Sequence, residues 1–201
     1  MKKLLRRIII LFLGMLIIGL IGGGVFYLRW KGQVRQLGRQ RFPAGIVIHH
    51  TLTAPVVNGR KVDIAFIDAM HKRKGFGITD DDGTVYHIGY HYLIQQDGTI
   101  QRGRPEHLRG AHARGHNNTL GIVLVGNFNS WQNFGQLGPN SPTSQQLAAA
   151  ERLTRSLMVK YSLTPDDVYL HRELVITHCP GNNFPRTAFI RALAGTAVLS
   201  K

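Results

Sequence analysis

The first long hydrophobic pattern in the chain is an uncharged stretch over residues 8–28. Every residue in it is apolar, aromatic or glycine, and four lysines and arginines lie in residues 1–7. A helix rises about 1.5 Å per residue, so the stretch is long enough to cross a hydrocarbon core of about 30 Å. It predicts a transmembrane anchor. A signal peptide whose apolar core ends near Ile21 is the alternative, and the glycines at 22–24 would then supply small residues for cleavage.

After Pro43 the pattern changes to short apolar segments that alternate with polar turns. The β-branched and apolar segments predict strands, and the segments with helical spacing predict helices. Thr143 and Gln146 form a predicted capping box at the start of one helix. Strands are predicted at 45–51, 84–96, 99–103, 120–126 and 167–171, and helices at 62–73, after Thr143 and from Pro185 to Gly195. This alternation predicts an α/β fold with a single mixed sheet flanked by helices.

These patterns divide the chain into four parts. A short basic N-terminus covers residues 1–7 and the anchor or signal peptide covers 8–28. A basic linker covers 29–42, and a folded domain covers 43–201. The positive charge on both sides of the apolar stretch gives no clear orientation for an anchor.

The formal net charge of +14 is unevenly distributed. Residues 1–41 hold nine lysines and arginines and no acidic residue, whereas residues 42–201 hold 16 basic and 11 acidic residues. Charge that flanks a membrane segment explains the excess better than nucleic-acid binding does, and no nucleic-acid-reading motif is present. We therefore expect no nucleic-acid partner. The mildly basic domain suits an anionic polymer such as a cell wall.

Three residues are candidate ligands of one metal ion: His49, His171 and Cys179. Cys179 is the only cysteine, so it forms no disulfide within the chain. Each residue alone is weak evidence, because a histidine on a buried strand or a lone cysteine is more often a core residue. His171 and Cys179, however, lie at a strand end and in a turn, where side chains can converge. Together the three predict a zinc site with a fourth position open for water.

Seven motifs occur in an order and at spacings that resemble a known family. They are Ile46–Thr51, Ile88–Ile94, Asp97–Thr99, Gly103–Arg104, Gly110–Ala113, Gly121–Gly126 and His171–Gly181. The resemblance is to the zinc-dependent N-acetylmuramoyl-L-alanine amidases of the type 2 family, which includes the amidase-type phage lysozyme and the animal peptidoglycan recognition proteins. It covers about residues 43–195.

The resemblance implies cleavage of the amide between N-acetylmuramic acid and the L-alanine of the stem peptide. It also implies Zn²⁺ as cofactor, with His49, His171 and Cys179 as ligands. Peptidoglycan or muropeptides are the implied partners, and we expect a monomer. Because that polymer lies outside the cytoplasm, the implied location is a bacterial inner membrane, crossed once, with the catalytic domain on the periplasmic side.

Further roles carry over by position. Tyr90 matches the tyrosine that contacts the reacting oxygen, and Thr177 falls where the family has a lysine or threonine near the metal; both are predicted catalytic residues. His112 is a candidate substrate-binding residue, with a supporting or structural role as the alternative. Some relatives use a glutamate base on the strand equivalent to 121–126. This chain has only apolar residues and glycine there, which favours Tyr90 as the residue that handles the proton.

The resemblance leaves a second function open. Some proteins of this fold bind peptidoglycan without cleaving it, and they lack part of the metal set, often the cysteine. The presence of the complete predicted set here favours the enzyme.

Overall fold

The protein is described by a computed structural model that covers residues 42–133 and 140–195. These residues belong to a compact unit that begins at Phe42. Nine strands lie within the described ranges: β1 Ile46–His50, β2 Val56–Val57, β3 Arg60–Lys61, β4 Ile78–Thr79, β5 Val85–Tyr86, β6 Tyr92–Ile94, β7 Ile100–Arg102, β8 Leu120–Leu124 and β9 Val168–Leu170.

Five of these strands form the central sheet, in the order β7-β6-β8-β1-β9. β1 runs parallel to both β8 and β9, and β6 runs parallel to β8 and antiparallel to β7. The predicted single mixed sheet is therefore confirmed. Because β8, β1 and β9 are parallel, their carboxyl ends meet at one edge, which is where ligand sites form in such sheets. β2–β3 and β4–β5 are separate two-stranded hairpins.

Helices cover both faces of the sheet. They are α1 Ile64–Arg73, α2 Ser130–Asn133, α3 Ser144–Tyr161, α4 His171–Leu174 and α5 Arg186–Ala194, with a 3-10 turn at Pro165–Asp167. The larger apolar core joins the sheet to α3 and α5, through buried residues such as Leu157 and Phe189. A smaller core joins the other face to α1, through Ile67. The flanking of the sheet by helices is thus as predicted.

β1 is buried along its whole length and separates its side chains between the two faces. Ile48 belongs to the larger core, and the next residue, His49, points to the opposite face. His50 returns to the face of Ile48, where its Nδ1 atom accepts the backbone N–H of Phe128 at 3.1 Å. The two consecutive histidines therefore lie on opposite faces of the sheet.

The ends of the helices follow their local sequence. In α3 the Thr143 hydroxyl accepts the N–H of Gln146 at 3.0 Å, and the Gln146 side chain accepts the N–H of Thr143 at 3.1 Å. This is the predicted capping box. At the start of α1, the Asp63 carboxylate accepts the N–H of Phe66 at 2.8 Å. α5 ends at Ala194, immediately before the predicted Gly195.

The predicted continuous strand over 84–96 is wrong. The chain forms β5 and β6 with an irregular segment, residues 87–91, between them. In that segment the Asp68 carboxylate accepts the N–H groups of residues 87 and 88 at 2.9 and 2.7 Å. The Nδ1 atom of His71 accepts the N–H of Gly89 at 2.9 Å. Side chains of α1 therefore bind the backbone donors that a strand would give to its neighbour.

The strand predicted over 167–171 ends one residue earlier in the structure. β9 stops at Leu170, and His171 is the first residue of the short helix α4. The Glu173 carboxylate accepts the N–H of Leu170 at 2.8 Å, which favours a helical turn over further strand pairing.

The predicted single-pass inner-membrane location needs correction. Across residues 42–133 and 140–195, no helix combines the length and the apolar character needed to cross a bilayer. The predicted anchor at 8–28 lies outside these ranges. The described part of the chain thus gives no support for membrane anchoring. The predicted domain boundaries stay predictions.

Candidate metal centre

The three predicted metal ligands converge at the carboxyl edge of the central sheet. His49 is near the end of β1, His171 directly follows β9, and Cys179 lies in the loop after α4. One potential ligand atom from each residue lies within 4.8 Å of the other two. The parallel pairing of β1 and β9 brings these sequence-distant positions together. The centroids of the two imidazole rings are 4.5 Å apart.

The distance between His49 and Cys179 fits a shared tetrahedral ion. The His49 Nδ1 atom lies 3.6 Å from the Cys179 Sγ atom. A zinc ion about 2.1 Å from a nitrogen and about 2.3 Å from a sulfur holds those atoms about 3.6 Å apart at a tetrahedral angle. Imidazole nitrogen and thiolate sulfur are both zinc ligands in proteins, and three protein ligands leave the fourth position open for water. The residues present therefore fit this metal.

The surroundings of Cys179, which is half-buried, act on its thiol in two opposite ways. The backbone N–H of His50 donates to Sγ at 3.4 Å, which favours the thiolate. Burial acts in the opposite direction and outweighs it, raising the pKa of the Cys179 thiol to about 12. A thiol in this position therefore ionises at neutral pH only when a cation binds beside it.

The two histidines of the cluster favour the neutral, metal-binding form. Burial is the main cause that lowers the pKa of His49, to well below its usual range, and nearby imidazoles add to it. Burial, followed by the charge of His116, also lowers the pKa of His171. A neutral imidazole offers the lone pair that a metal ion requires.

Tyr90 lies beside the cluster, on the irregular segment between β5 and β6. Its ring centroid is 5.1 Å from that of His49 and 5.5 Å from that of His71. Burial, and then the negative charge of Cys179, raises the pKa of the Tyr90 phenol well above its usual range. The phenol therefore stays protonated at neutral pH and can donate a hydrogen bond to a reacting oxygen.

Thr177 lies in the loop before Cys179. Its hydroxyl accepts the backbone N–H of Cys179 at 3.3 Å. The same residue lines a groove of about 570 Å³ beside the cluster. Other lining residues are Phe76, Ala111, His112, Ala113, Arg114, Asn117, His171, Val175 and Ile176. Thr177 thus contacts both the ligand loop and the space where a substrate can lie.

His112, predicted to bind substrate, lies mainly behind His49. Its Nδ1 atom is 3.0 Å from the His49 Nε2 atom, and its Nε2 atom donates to the Thr119 carbonyl at 3.0 Å. Only 9% of the residue is exposed, at the wall of the groove. Both nitrogen atoms are therefore engaged by the protein, and the supporting alternative describes this position better.

Several residues around the site were not foreseen from the sequence. His71 orders the Tyr90 segment through its bond to Gly89, and the N–H of His50 donates to the Cys179 sulfur. A polar side chain that binds a distant backbone group leaves no pattern in a single sequence. Val123 on β8 and Val125, directly after that strand, pack in the smaller core on the α1 side.

Comparisons with known proteins identify the family of this chain. A family model described as N-acetylmuramoyl-L-alanine amidase matches residues 39–182. The endolysin of Escherichia phage T7 is 30% identical over 142 residues, which cover 70% of this chain and 82% of that protein. A peptidoglycan-recognition protein of Drosophila melanogaster is 34% identical over 140 residues, covering 68% of this chain and 67% of that protein.

The solved structures lead to the same family. The endolysin amidase LysCS of Clostridium intestinale is 38% identical, with a TM-score of 0.58, and the match covers 75% of this chain and 82% of that one. The region matched by the family model contains the whole His49, His171 and Cys179 cluster together with Tyr90. The chain accordingly belongs to the N-acetylmuramoyl-L-alanine amidase family.

Proposed function

We propose that this peptidoglycan amidase depends on zinc, held by His49, His171 and Cys179. Its family membership assigns it hydrolysis of the amide between N-acetylmuramic acid and the L-alanine of the stem peptide. The observation that carries the zinc proposal is the convergence of two neutral imidazoles and one thiol within 4.8 Å. The 3.6 Å spacing of His49 Nδ1 and Cys179 Sγ supports it further.

When bound, zinc would polarise the scissile carbonyl and activate water for attack on it. The protein's part is to present the ligands and to hold the substrate. Because His49 and His171 are neutral, each already has a nitrogen lone pair for the metal and need not first lose a proton. The His50 N–H supports the thiolate of Cys179. Together these groups form a site that is preorganised for a divalent cation.

Tyr90 is proposed to stabilise the charge that develops on the substrate oxygen. A half-buried phenol that keeps its proton is a hydrogen-bond donor and not a base. Such a donor contributes most when it contacts oxygen charge that grows in the transition state. Thr177 lies in the loop before Cys179 and is proposed to donate a hydrogen bond from its hydroxyl group to the substrate, since its oxygen already accepts the N–H of Cys179.

The groove beside His171 is the proposed site for the peptide side of the substrate. Much of its wall is apolar, through residues such as Phe76 and Val175, and His171 of the ligand cluster also lines it. A scissile amide at the cluster would place one of its substituents in this groove. Arg114 is exposed and lines the groove, so it can meet a carboxylate of a stem peptide.

The alternative is a protein that binds peptidoglycan without cleaving it. The peptidoglycan-recognition proteins among the relatives make this a specific alternative. The complete ligand cluster, with Tyr90 beside it, favours the enzyme because binding alone needs no thiolate ligand.

Product analysis after incubation of the full chain with purified peptidoglycan tests the proposal. We expect glycan fragments free of peptide and peptides that begin with L-alanine, both identified by mass spectrometry. A chelator should stop their formation and added zinc should restore it. The His171→Ala variant is the matched control and should release neither product. Binding to peptidoglycan without release of either product by the wild type would establish the non-catalytic alternative.

A further inference from the structure

We infer that His112 is a positioning residue that fixes the tautomer and orientation of His49, so that the Nδ1 atom of His49 faces the metal site. This inference rests on the proposed zinc site. It assigns His112 a role different from the substrate contact predicted from the sequence. The feature that carries it is a buried chain of hydrogen bonds from the Thr119 carbonyl, through the His112 ring, to the His49 ring.

The direction of both hydrogen bonds follows from the Thr119 carbonyl, which is the last group in the series. A carbonyl oxygen only accepts hydrogen bonds, so the His112 Nε2 atom, 3.0 Å from the Thr119 carbonyl, must carry a proton. In a neutral ring the Nδ1 atom then holds a lone pair. The His49 Nε2 atom, 3.0 Å away, must donate to that lone pair. A neutral His49 ring protonated on Nε2 has its free lone pair on Nδ1.

The position of the free lone pair agrees with the rest of the site. The Nδ1 atom of His49 is the one that lies 3.6 Å from the Cys179 sulfur. The opposite tautomer would place a proton between the imidazole and the ion and turn the lone pair toward His112. A backbone carbonyl, which cannot change its protonation, thus determines which nitrogen of His49 serves as ligand.

The surroundings of His112 keep its ring neutral. The ring is buried, and a buried charge without a partner is unfavourable. The charged groups that act on it among the described residues are His91, His171 and Arg104, all positive when charged. Its own element, the loop between β7 and β8, contributes only backbone and amide contacts to it. No carboxylate acts on the ring in the described part of the chain.

Gly110 and Gly121 lie close to the His112 ring and leave room for it. A Cβ atom on Gly110 would lie 2.3 Å from the Cδ2 atom of His112, and one on Gly121 would lie 2.7 Å from it. Both distances are far below van der Waals contact, so only glycine admits the imidazole here. The Asn117 side chain also accepts the N–H groups of His112 and Ala113, each at 2.9 Å. The ring therefore has one available position, against His49.

A matched pair of substitutions tests the role in metal binding. Asparagine at position 112 has an oxygen near the place of Nδ1, and leucine has nearly the same shape without an acceptor. In the full chain, the zinc Kd measured by competition with a chromophoric chelator should rise about 10-fold to 100-fold in His112→Leu. His112→Asn should recover most of that loss. Wild-type affinity in His112→Leu, or equal losses in both variants, would overturn the inference.

Nitrogen-15 NMR of the zinc-free wild-type chain tests the tautomer directly and needs no variant to fold. The expected signal for His49 is a protonated Nε2 and an unprotonated Nδ1. A protonated Nδ1 would overturn the inference. This measurement is independent of the proposed function. A protein that shows the expected tautomer and binds no zinc would refute the zinc site, but the hydrogen bonds from Thr119 through His112 to His49 would still stand.

Discussion

The Nδ1 atom of His49 lies 3.6 Å from the Sγ atom of Cys179, although the two residues are 130 positions apart. Two donor atoms at this spacing, with His171 beside them, match what a single tetrahedral zinc ion needs. The match depends on strand order, because β1 lies between β8 and β9 and ends at the same edge. The strand order of the sheet therefore determines which side chains can bind the same ion.

The first prediction concerns zinc content. Cys179→Ser replaces a thiolate with a hydroxyl, which is a much poorer zinc ligand. The purified full chain should hold about one zinc per molecule by atomic emission, and the variant should lose most of it. His178→Ala, a change at the exposed neighbouring residue, is the matched control and should retain the metal. Equal zinc in wild type and Cys179→Ser would remove Cys179 from the ligand set.

The second prediction separates transition-state stabilisation from metal binding. Tyr90→Phe removes one hydroxyl and keeps the ring, so folding and zinc content should be unchanged. If the hydroxyl contacts charge that develops in the transition state, kcat should fall on the order of 100-fold to 1000-fold with little change in KM. Tyr86→Phe, at a half-buried tyrosine on β5, should keep wild-type kcat. Wild-type kcat in Tyr90→Phe would make Tyr90 a packing residue.

The third prediction concerns acid stability. Burial lowers the pKa of His91 to about 4, and its Nδ1 atom accepts the N–H of Gly121 at 2.9 Å. The unfolded chain, with an ordinary pKa near 6.5, binds this proton more readily than the folded chain does. The contribution of His91 to stability is therefore complete above about pH 6.5 and is lost as the pH falls toward 4.

Urea unfolding of the chelator-treated full chain between pH 7 and 4.5 measures this effect. His91→Gln should reduce the slope of the unfolding free energy against pH by up to about 1.4 kcal/mol per pH unit. His107→Gln is the control. A hydrogen bond to Asp80 raises the pKa of the exposed His107, so its contribution has the opposite sign and its removal should leave the slope equal or steeper. An unchanged slope in His91→Gln would contradict the prediction.

The fourth prediction concerns a buried arginine that ties the segment before β6 to the loop after β7. The Arg104 guanidinium donates to the carbonyl of Ile88 at 2.8 Å and to that of Arg109 at 2.6 Å. Arg104→Met would leave these carbonyls without their donor, and should lower the unfolding free energy by about 2–4 kcal/mol. Arg102→Met, at an exposed position on β7, should change it by less than about 0.5 kcal/mol. Equal effects of the two changes would refute the prediction.

The regular parts of the fold were predictable because their signals are local. The apolar run of β1, the capping box at Thr143 and the stop at Gly195 each depend on residues that are neighbours in the chain. The mixed sheet followed from the alternation of such segments. The convergence of His171 and Cys179 was also within reach, because both follow a predicted strand closely.

The parts that escaped prediction depend on contacts between distant residues. The strand expected over 84–96 breaks because Asp68 and His71, on a helix, take its backbone donors. The bond between His112 and His49 joins residues 63 positions apart, and no local pattern marks it. The residue pattern and the family resemblance both indicated the candidate ligands, whereas the contact of His112 with His49 became evident only from the packing of the two rings.

The edge position of β9 has a consequence for how the enzyme matures during synthesis. This strand pairs only with β1 in the central sheet, and the chain supplies it about 120 residues after β1. A nascent chain that has emerged only as far as residue 167 carries one of the three ligand residues and lacks the strand that positions the others. Most of the domain must therefore be synthesised before the three proposed ligands can come together. Loading of the proposed zinc ion would therefore be a late event, because it requires a contact between strands that are far apart in the sequence.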